Sequence, residues 1–284
     1  MQRRAATTLL LAAPAVLRAR DAPLRLRYPQ PMRRDIPVRS LPLELLRRAV
    51  ERAGRVVELE PSQHVMVQAR SVRELAADSG LIDLLWTVTS REREQALRPV
   101  RIPIFRGLYG WRLLLVRRGD SARFAALRSL ADLQPLRLLQ GADWPDTRVL
   151  RDNGLRVETA QSFESLFKML QAARGDAFPR GVTEIGWEQS QRSDRFEVEP
   201  ALALHYPSAE YYFVSQRNLA LAELLERGLE RMQASGEHEE LLLDIHGEAL
   251  RAARLHERRV LSLRNAELPE ATPLQRRALW WRPT

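Results

Sequence analysis

Five histidines and no cysteine supply the groups most often used for metal ligation and nucleophilic attack. His64, His205, His238, His246 and His256 are too scattered for an H-E-x-x-H or related metal spacing, and no Gly-x-Ser-x-Gly elbow or glycine-rich phosphate loop is present. Without thiols there are no disulfides and no thiolate sites. The sequence therefore predicts no catalytic group, no metal and no cofactor, and the chemistry that remains is recognition. The stretch Gly141-Ala142-Asp143-Trp144-Pro145-Asp146-Thr147 sits where a helix begins, and free backbone N–H groups at such an end attract anions. Asp143 and Asp146 fit N-capping there as well as they fit a ligand contact, and a carboxylate facing a cleft would prefer a cationic or hydroxyl-bearing ligand. Trp86, closing an apolar run, suits stacking on a ligand or plain core packing. Arg91 and Arg93 flank Glu92 in an Arg-Glu-Arg-Glu run that suits either a cleft or a solvated face. Asp176, after Gly175, reads as a turn residue and Glu184 as a first-turn helix residue.

These side chains need elements to hold them. Leu24 to Tyr28 alternates apolar and basic residues and reads as a first strand. Ser40 and Pro42 open a helix that Gly54 stops, and Val56 to Leu59 is a second strand. Ser71 and Glu74 have the spacing of a capping box opening a short helix, and Ile82 to Val88 suits a buried parallel strand. After the strand Trp111 to Val116 the pattern restarts: strand at Leu136 to Leu139, helix to Asn153-Gly154, strand at Val157, helix from Ser162, and a short strand at Asp176-Ala177-Phe178. Helices follow from Arg217 to Ala234 and beyond Gly236, and Pro269 to Thr284 reads as an irregular tail packed by Trp280 and Trp281. Alternating strands and helices predict an α/β protein. Ligands in open α/β sheets sit beyond the carboxyl ends of the strands, which brings forward Tyr28, the segment Trp86, Thr87 and Thr89 to Arg93, and the turn from Arg106 to Tyr109.

Between Ser79 and Arg117 a Gly-x-x-Asp turn, an apolar strand, a Thr/Ser/Arg loop, Ile102-Pro103-Ile104 and a strand ending in basic residues follow one another. This order, from Leu24 to about Gly236, resembles the periplasmic solute-binding proteins of the polar amino-acid type. Gly80, Asp83, Thr89 and Pro103 match the family's pattern. The resemblance implies a two-lobed, type II periplasmic-binding-protein-like fold, each lobe a mostly parallel sheet flanked by helices. It implies one lobe over 23–117 plus 216–284 and the other over 118–215, with Arg117 and Ser215 near the crossings. In the family an arginine three residues after the threonine grips a ligand carboxylate as a planar fork. Here that position is Glu92, so Arg91 or Arg93 would have to serve. The family's helix-start turn corresponds to Asp143, Trp144 and Thr147. Its strand-end aspartate, which holds a ligand ammonium, corresponds to Asp176 or Glu184, and Phe178-Pro179-Arg180 places Arg180 at the cleft.

The chain carries a net charge of +9, but Lys168 is its one lysine and the arginines are interspersed with acids, so no nucleic-acid footprint is predicted. Arg3 and Arg4 precede an apolar run from Ala5 to Leu17 containing Ala13-Pro14-Ala15, which reads as a signal peptide over 1–22 and predicts a periplasmic protein. An ordinary cytoplasmic N-terminus is the alternative. The expected function is capture of a small polar, amino-acid-like solute between the lobes by a monomer that is not an enzyme. The resemblance makes an ABC-type membrane permease its partner. A ligand-sensing module for a signalling partner, or a dehydratase-like enzyme using a cleft acid such as Glu184, are the alternatives on the same fold.

Overall fold

A computed structural model describes residues 22–30 and 40–283. Apart from Ala22, the expected signal peptide lies outside the described residues.

The first half contains β1 (Leu24–Gln30), α1 (Leu41–Arg52), β2 (Val57–Val65), α2 (Gln68–Ala76), β3 (Leu84–Val88), α3 (Arg91–Ala96) and β4 (Leu97–Val100). β5 (Trp111–Arg117), α4 (Leu130–Leu133), β6 (Arg137–Gly141), α5 (Pro145–Asp152), β7 (Arg156–Ala160) and α6 (Phe163–Gln171) follow. β8 (Phe178–Gly181), α7 (Ile185–Ser190), β9 (Phe196–Val198), β10 (Leu202–His205), β11 (Glu210–Ser215), α8 (Leu219–Ser235), α9 (Glu237–Ala253) and β12 (Arg259–Ser262) complete the chain.

The strands form two bodies of sheet. β11 lies antiparallel between β3 and β4, and parallel β1 and β2 continue this sheet where Asp83 N–H donates to Arg27 O at 2.8 Å. In the other body β5 is central, antiparallel to β8 on one side and to β9 and β10 on the other, with β12 parallel to β10. Parallel β6 and β7 extend it through a bridge from Leu138 to Ala177. The chain thus passes from one sheet to the other between Val100 and Trp111 and returns between His205 and Glu210. Arg117 and Ser215 stand at the far ends of the crossing strands, because β5 enters the second sheet at once and β11 the first. After α9 the chain visits the second sheet again as β12, and its tail then returns to α8. Along that tail Asn265 donates to Pro207 O at 2.9 Å, Trp281 N–H to Arg106 O at 2.7 Å, and Gln233 to Ala278 O at 2.9 Å. Trp280 packs so closely on Gly107, in the left-handed region at φ 84°, that a Cβ there would sit 2.7 Å from its ring.

Three local expectations change. Ile82 to Val88, expected as a parallel strand, forms β3 at Leu84–Val88 and pairs antiparallel with β11, because β11 returns from the second sheet in the opposite direction. Ser71 opens no helix: α2 starts at Gln68 after Val67, and the Ser71 hydroxyl bonds back to Val67 O at 3.3 Å inside the helix. The Thr/Ser/Arg loop expected after β3 runs from Arg91 into a short helix, α3, because the Ser90 hydroxyl caps it by accepting from Arg93 N–H.

α1 buries Leu41, Leu45, Leu46, Ala49 and Val50 at helical spacing against α8, whose Leu225, Leu229 and Met232 are fully buried. His238, on α9, is wholly buried with Nε2 2.8 Å from Ile104 O in the first crossing, and its Nδ1 has no partner. Burial pushes its pKa down to about 4, with Arg106 beside it. An unfolded histidine titrates near 6.5. Between those values the unfolded chain binds the extra proton, so stability is full above pH 6.5 and falls as the pH drops through 4. Urea unfolding at pH 7 and 4.5 should show His238 contributing a loss of about 2–3 kcal/mol. His238→Gln, which keeps the donor to Ile104, should abolish that portion; an unchanged pH slope would contradict the assignment.

Candidate functional site

The carboxyl ends of β3, β6 and β8 face one another across the space between the two sheets, where two adjoining cavities lie. The inner one, about 240 Å³, takes Gln68, Thr87 and Glu210 from the first body and Trp144, Asp146, Arg180 and Glu184 from the second, with Tyr109 and Arg112 at the crossing. The outer one, about 470 Å³, shares Val88, Arg112, Trp144, Pro145 and Asp146 with it and opens past Thr89, Arg93, Asp143 and Thr147 to Asn265 and Glu267 of the tail.

On the first wall, Thr87 is buried and accepts from Gln68 Nε2 at 2.7 Å, while Gln68 Oε1 accepts from Arg93 Nη2 at 3.0 Å. Arg93 also donates to Val88 O at 2.5 Å. Burial lowers its pKa, against Glu92 and Glu210. Thr89 donates to Glu94 at 2.7 Å.

At the crossing, Arg112, Asp146 and Tyr206 form one buried group: Arg112 pairs with Asp146 at 2.6 Å and donates through Nε to Tyr206 Oη at 3.1 Å, and Tyr206 donates to Asp146. Burial works against the Arg112 charge, but Asp146 and Tyr206 overcome it and hold its pKa up. Burial and Asp146 likewise raise Tyr206.

On the second wall, Arg180 is gripped by Glu188 at 2.7 and 2.5 Å and by Glu184 at 3.0 Å. Its guanidinium carbon lies 4.8 Å from the Trp144 ring centroid and 5.1 Å from that of Phe178. Burial opposes its charge, but Glu184 and Glu188 raise its pKa on balance. Trp144, not an aspartate, occupies the N-cap position of α5 and makes no side-chain cap. Asp146 is committed to Arg112 and Asp143 is exposed on the outer cavity. Thr147 donates to Gly141 O at 2.6 Å, fixing the turn.

Glu210 differs from every other acid here. It is 8% exposed, and its Oε2 is buried without a hydrogen-bond partner. Burial pushes its pKa up to about 8, Glu184 adds to the rise, and Arg93 opposes it.

Of the residues expected from the sequence, Thr87, Thr89, Arg93, Asp143, Trp144, Thr147, Arg180 and Glu184 line the cleft. Tyr28 and Trp86 pack on each other instead, 5.7 Å between centroids, because strand alternation turns Trp86 away from the face that presents Thr87. Arg91 is exposed on α3 and lines neither cavity. Asp176 lies at the opposite end of β8, where Arg137 N–H donates to it at 2.8 Å and the Arg137 and Arg123 guanidiniums approach to 3.4 and 3.5 Å. Tyr109, at the end of the turn brought forward from the sequence, lines the inner cavity, whereas Gln68, Arg112, Tyr206, Glu188 and Glu210 stand in or beside the cavities without having been singled out. Glu210 had a sequence signal, as the lone charge of its strand, and Arg112 a weaker one, as a charge followed by the apolar run Leu113 to Val116. Among the described residues no group of three or more His, Asp or Glu could hold a metal ion.

No protein-family model matches the sequence, and no curated protein does. Solved structures do match. An ancestral arginine-binding protein bound to arginine superposes with TM-score 0.55 at 17% identity, covering 78% of this chain and 97% of its own. The fold is that of the type II periplasmic binding proteins. A putative ABC-transporter binding component from Wolinella succinogenes complexed with lysine gives TM-score 0.58 at 15% identity, over 78% of this chain and 95% of its own. The GluR0 ligand-binding core from Nostoc punctiforme with glutamate gives 0.54 at 16%, over 78% and 99%. In type II terms, the inner cavity of this protein lies between the lobes.

Proposed function

We propose that this protein is an exported solute-binding protein that captures a small polar molecule, of amino-acid size, between two lobes. The observation that carries the reading is the inner cavity itself, walled by Thr87, Gln68 and Glu210 from one sheet and Trp144, Arg180 and Glu184 from the other. A ligand touching both walls stabilises the closed arrangement by its differential affinity for it, with no catalytic group required. The lobes divide where the chain changes sheets, between Val100 and Trp111 and between His205 and Glu210, and the segment around β12 belongs with the second lobe. The bound ligands of the similar structures, arginine, lysine and glutamate, support amino-acid-sized capture and leave its charge open. An ABC-type permease is the partner this reading assigns to a monomer that transfers its solute. Among the described residues no helix is long and apolar enough to cross a membrane.

Thermal unfolding against amino acids, polyamines, organic acids and sugars tests this. A compound at 100 times its Kd adds about 2.7 kcal/mol. One chemical class should raise the melting temperature; no shift from any class would refute small-molecule capture.

A further inference from the structure

We propose that Glu210 and Glu184, facing each other across the inner cavity from the two lobes, form a paired-carboxylate clamp for an organic cation that bears no carboxylate, a guanidinium or alkylammonium compound. The inference rests on the cleft being a small-molecule site and names which molecules enter it.

Charge balance comes first. Two arginines and three carboxylates line the inner cavity. Arg112 is already matched by Asp146, and Arg180 by Glu188 and Glu184, with Trp144 covering its face. Neither guanidinium is free to take the carboxylate of an amino acid. Arg93 is held by Val88 O and Gln68 and looks onto the outer cavity. The acids are the unmatched side of the ledger, and Glu210 supplies a buried carboxyl oxygen with no partner. A buried acceptor left empty is costly, and a charge-assisted N–H donor is the group that satisfies it best. Glu184, with a side chain still 36% exposed, has acceptor capacity beyond its bond to Arg180. Tyr109 supplies an aromatic neighbour from the crossing.

The same geometry makes capture pH-dependent. Glu210 is faced by Glu184 from the turn before α7, Arg93 from α3, Tyr109 from the turn before β5 and Tyr212 from its own strand, while His246 faces Glu184 from α9. With a pKa raised to about 8, Glu210 is mostly protonated at pH 6.5 and mostly ionised at pH 9. A cation therefore competes with a proton for it. Guanidinium probes keep their charge across this range.

Calorimetric titration with agmatine, arginine, glutamate and glutarate on the full protein, at pH 6.5 and 9, decides it. Agmatine and arginine differ only by the carboxylate. Agmatine should bind at least tenfold more tightly than arginine and gain roughly tenfold or more between pH 6.5 and 9. Glu210→Gln should remove the pH gain and weaken agmatine at least tenfold at pH 9, and Glu184→Gln should weaken it while keeping the pH gain; urea unfolding of each variant checks folding. Binding of glutamate or glutarate in preference to agmatine, unaffected by Glu210→Gln, would overturn the clamp and leave the cleft as a solute site. No binding by these four or by the wider panel would overturn both.

Discussion

Arg180→Met lowers the stability of the protein by about 3–5 kcal/mol, and adding Glu188→Leu restores most of it. Arg180 and Glu188 are 7% and 4% exposed, and two short bonds join them. Removing the guanidinium leaves the Glu188 carboxylate buried and uncompensated; removing both charges leaves an apolar contact beside Trp144 and Phe178. A paired buried charge is costly to break and inexpensive to replace, so the double variant is the informative one. If Arg180 were instead a free ligand-facing charge, the single substitution would cost no more than a surface residue, about 1 kcal/mol. Urea unfolding of the two variants and the parent distinguishes these outcomes.

The sequence expectation for Arg180 put it at the cleft, and it is there, but its neighbours give it a structural task. That pattern recurs. Local elements were legible because they rest on local signals: the helix opened by Ser40 and Pro42, the capped helix at Ser162, the stop at Asn153-Gly154 and the aromatic tail all appear. Strand pairing was not, because it depends on contacts far apart in sequence. β9, β10 and β12 are too short to show a period, and β12 finds its place only through β10. The same limit shaped the site. Thr87, Trp144 and Glu184 stood at strand-to-loop junctions, and they line the inner cavity. Asp176 stood one strand-length away, at the entry to β8, where the Arg137 N–H claims it. Glu210 became a site residue only when β11 was seen to re-enter the first sheet at the cleft.

Gly228→Val should cost about 3 kcal/mol or more. Gly228 lies where α8 crosses α1, and a Cβ there would come within 1.8 Å of the Ala49 carbonyl oxygen and 2.5 Å of its carbon. The neighbour is helix backbone, which cannot swing aside, so the two helices would have to part and expose Leu45, Ala49, Leu225 and Leu229. Replacing glycine within a helix ordinarily gains a few tenths to about 1 kcal/mol from propensity, which is too small to offset the clash. Gly186→Ala in α7 has open space around it and should show that gain uncovered. Opposite signs at the two positions, read by thermal unfolding, are the expected result; a neutral Gly228→Val would mean that α1 and α8 are not packed in this register. No residue of α1 or α8 lines either cavity, so this variant tests the scaffold alone.

The central claim is that the space between the sheets holds a small molecule. Trp144 lines both cavities and covers Arg180, whereas Trp187 is exposed on α7 and lines neither. Titration of the compound that most stabilises the parent protein, repeated on Trp144→Ala and Trp187→Ala, tests the claim most directly. The account predicts that Trp144→Ala loses at least tenfold in affinity, about 1.4 kcal/mol, and that Trp187→Ala binds as the parent does. Equal affinity in Trp144→Ala would place the ligand elsewhere and contradict the account.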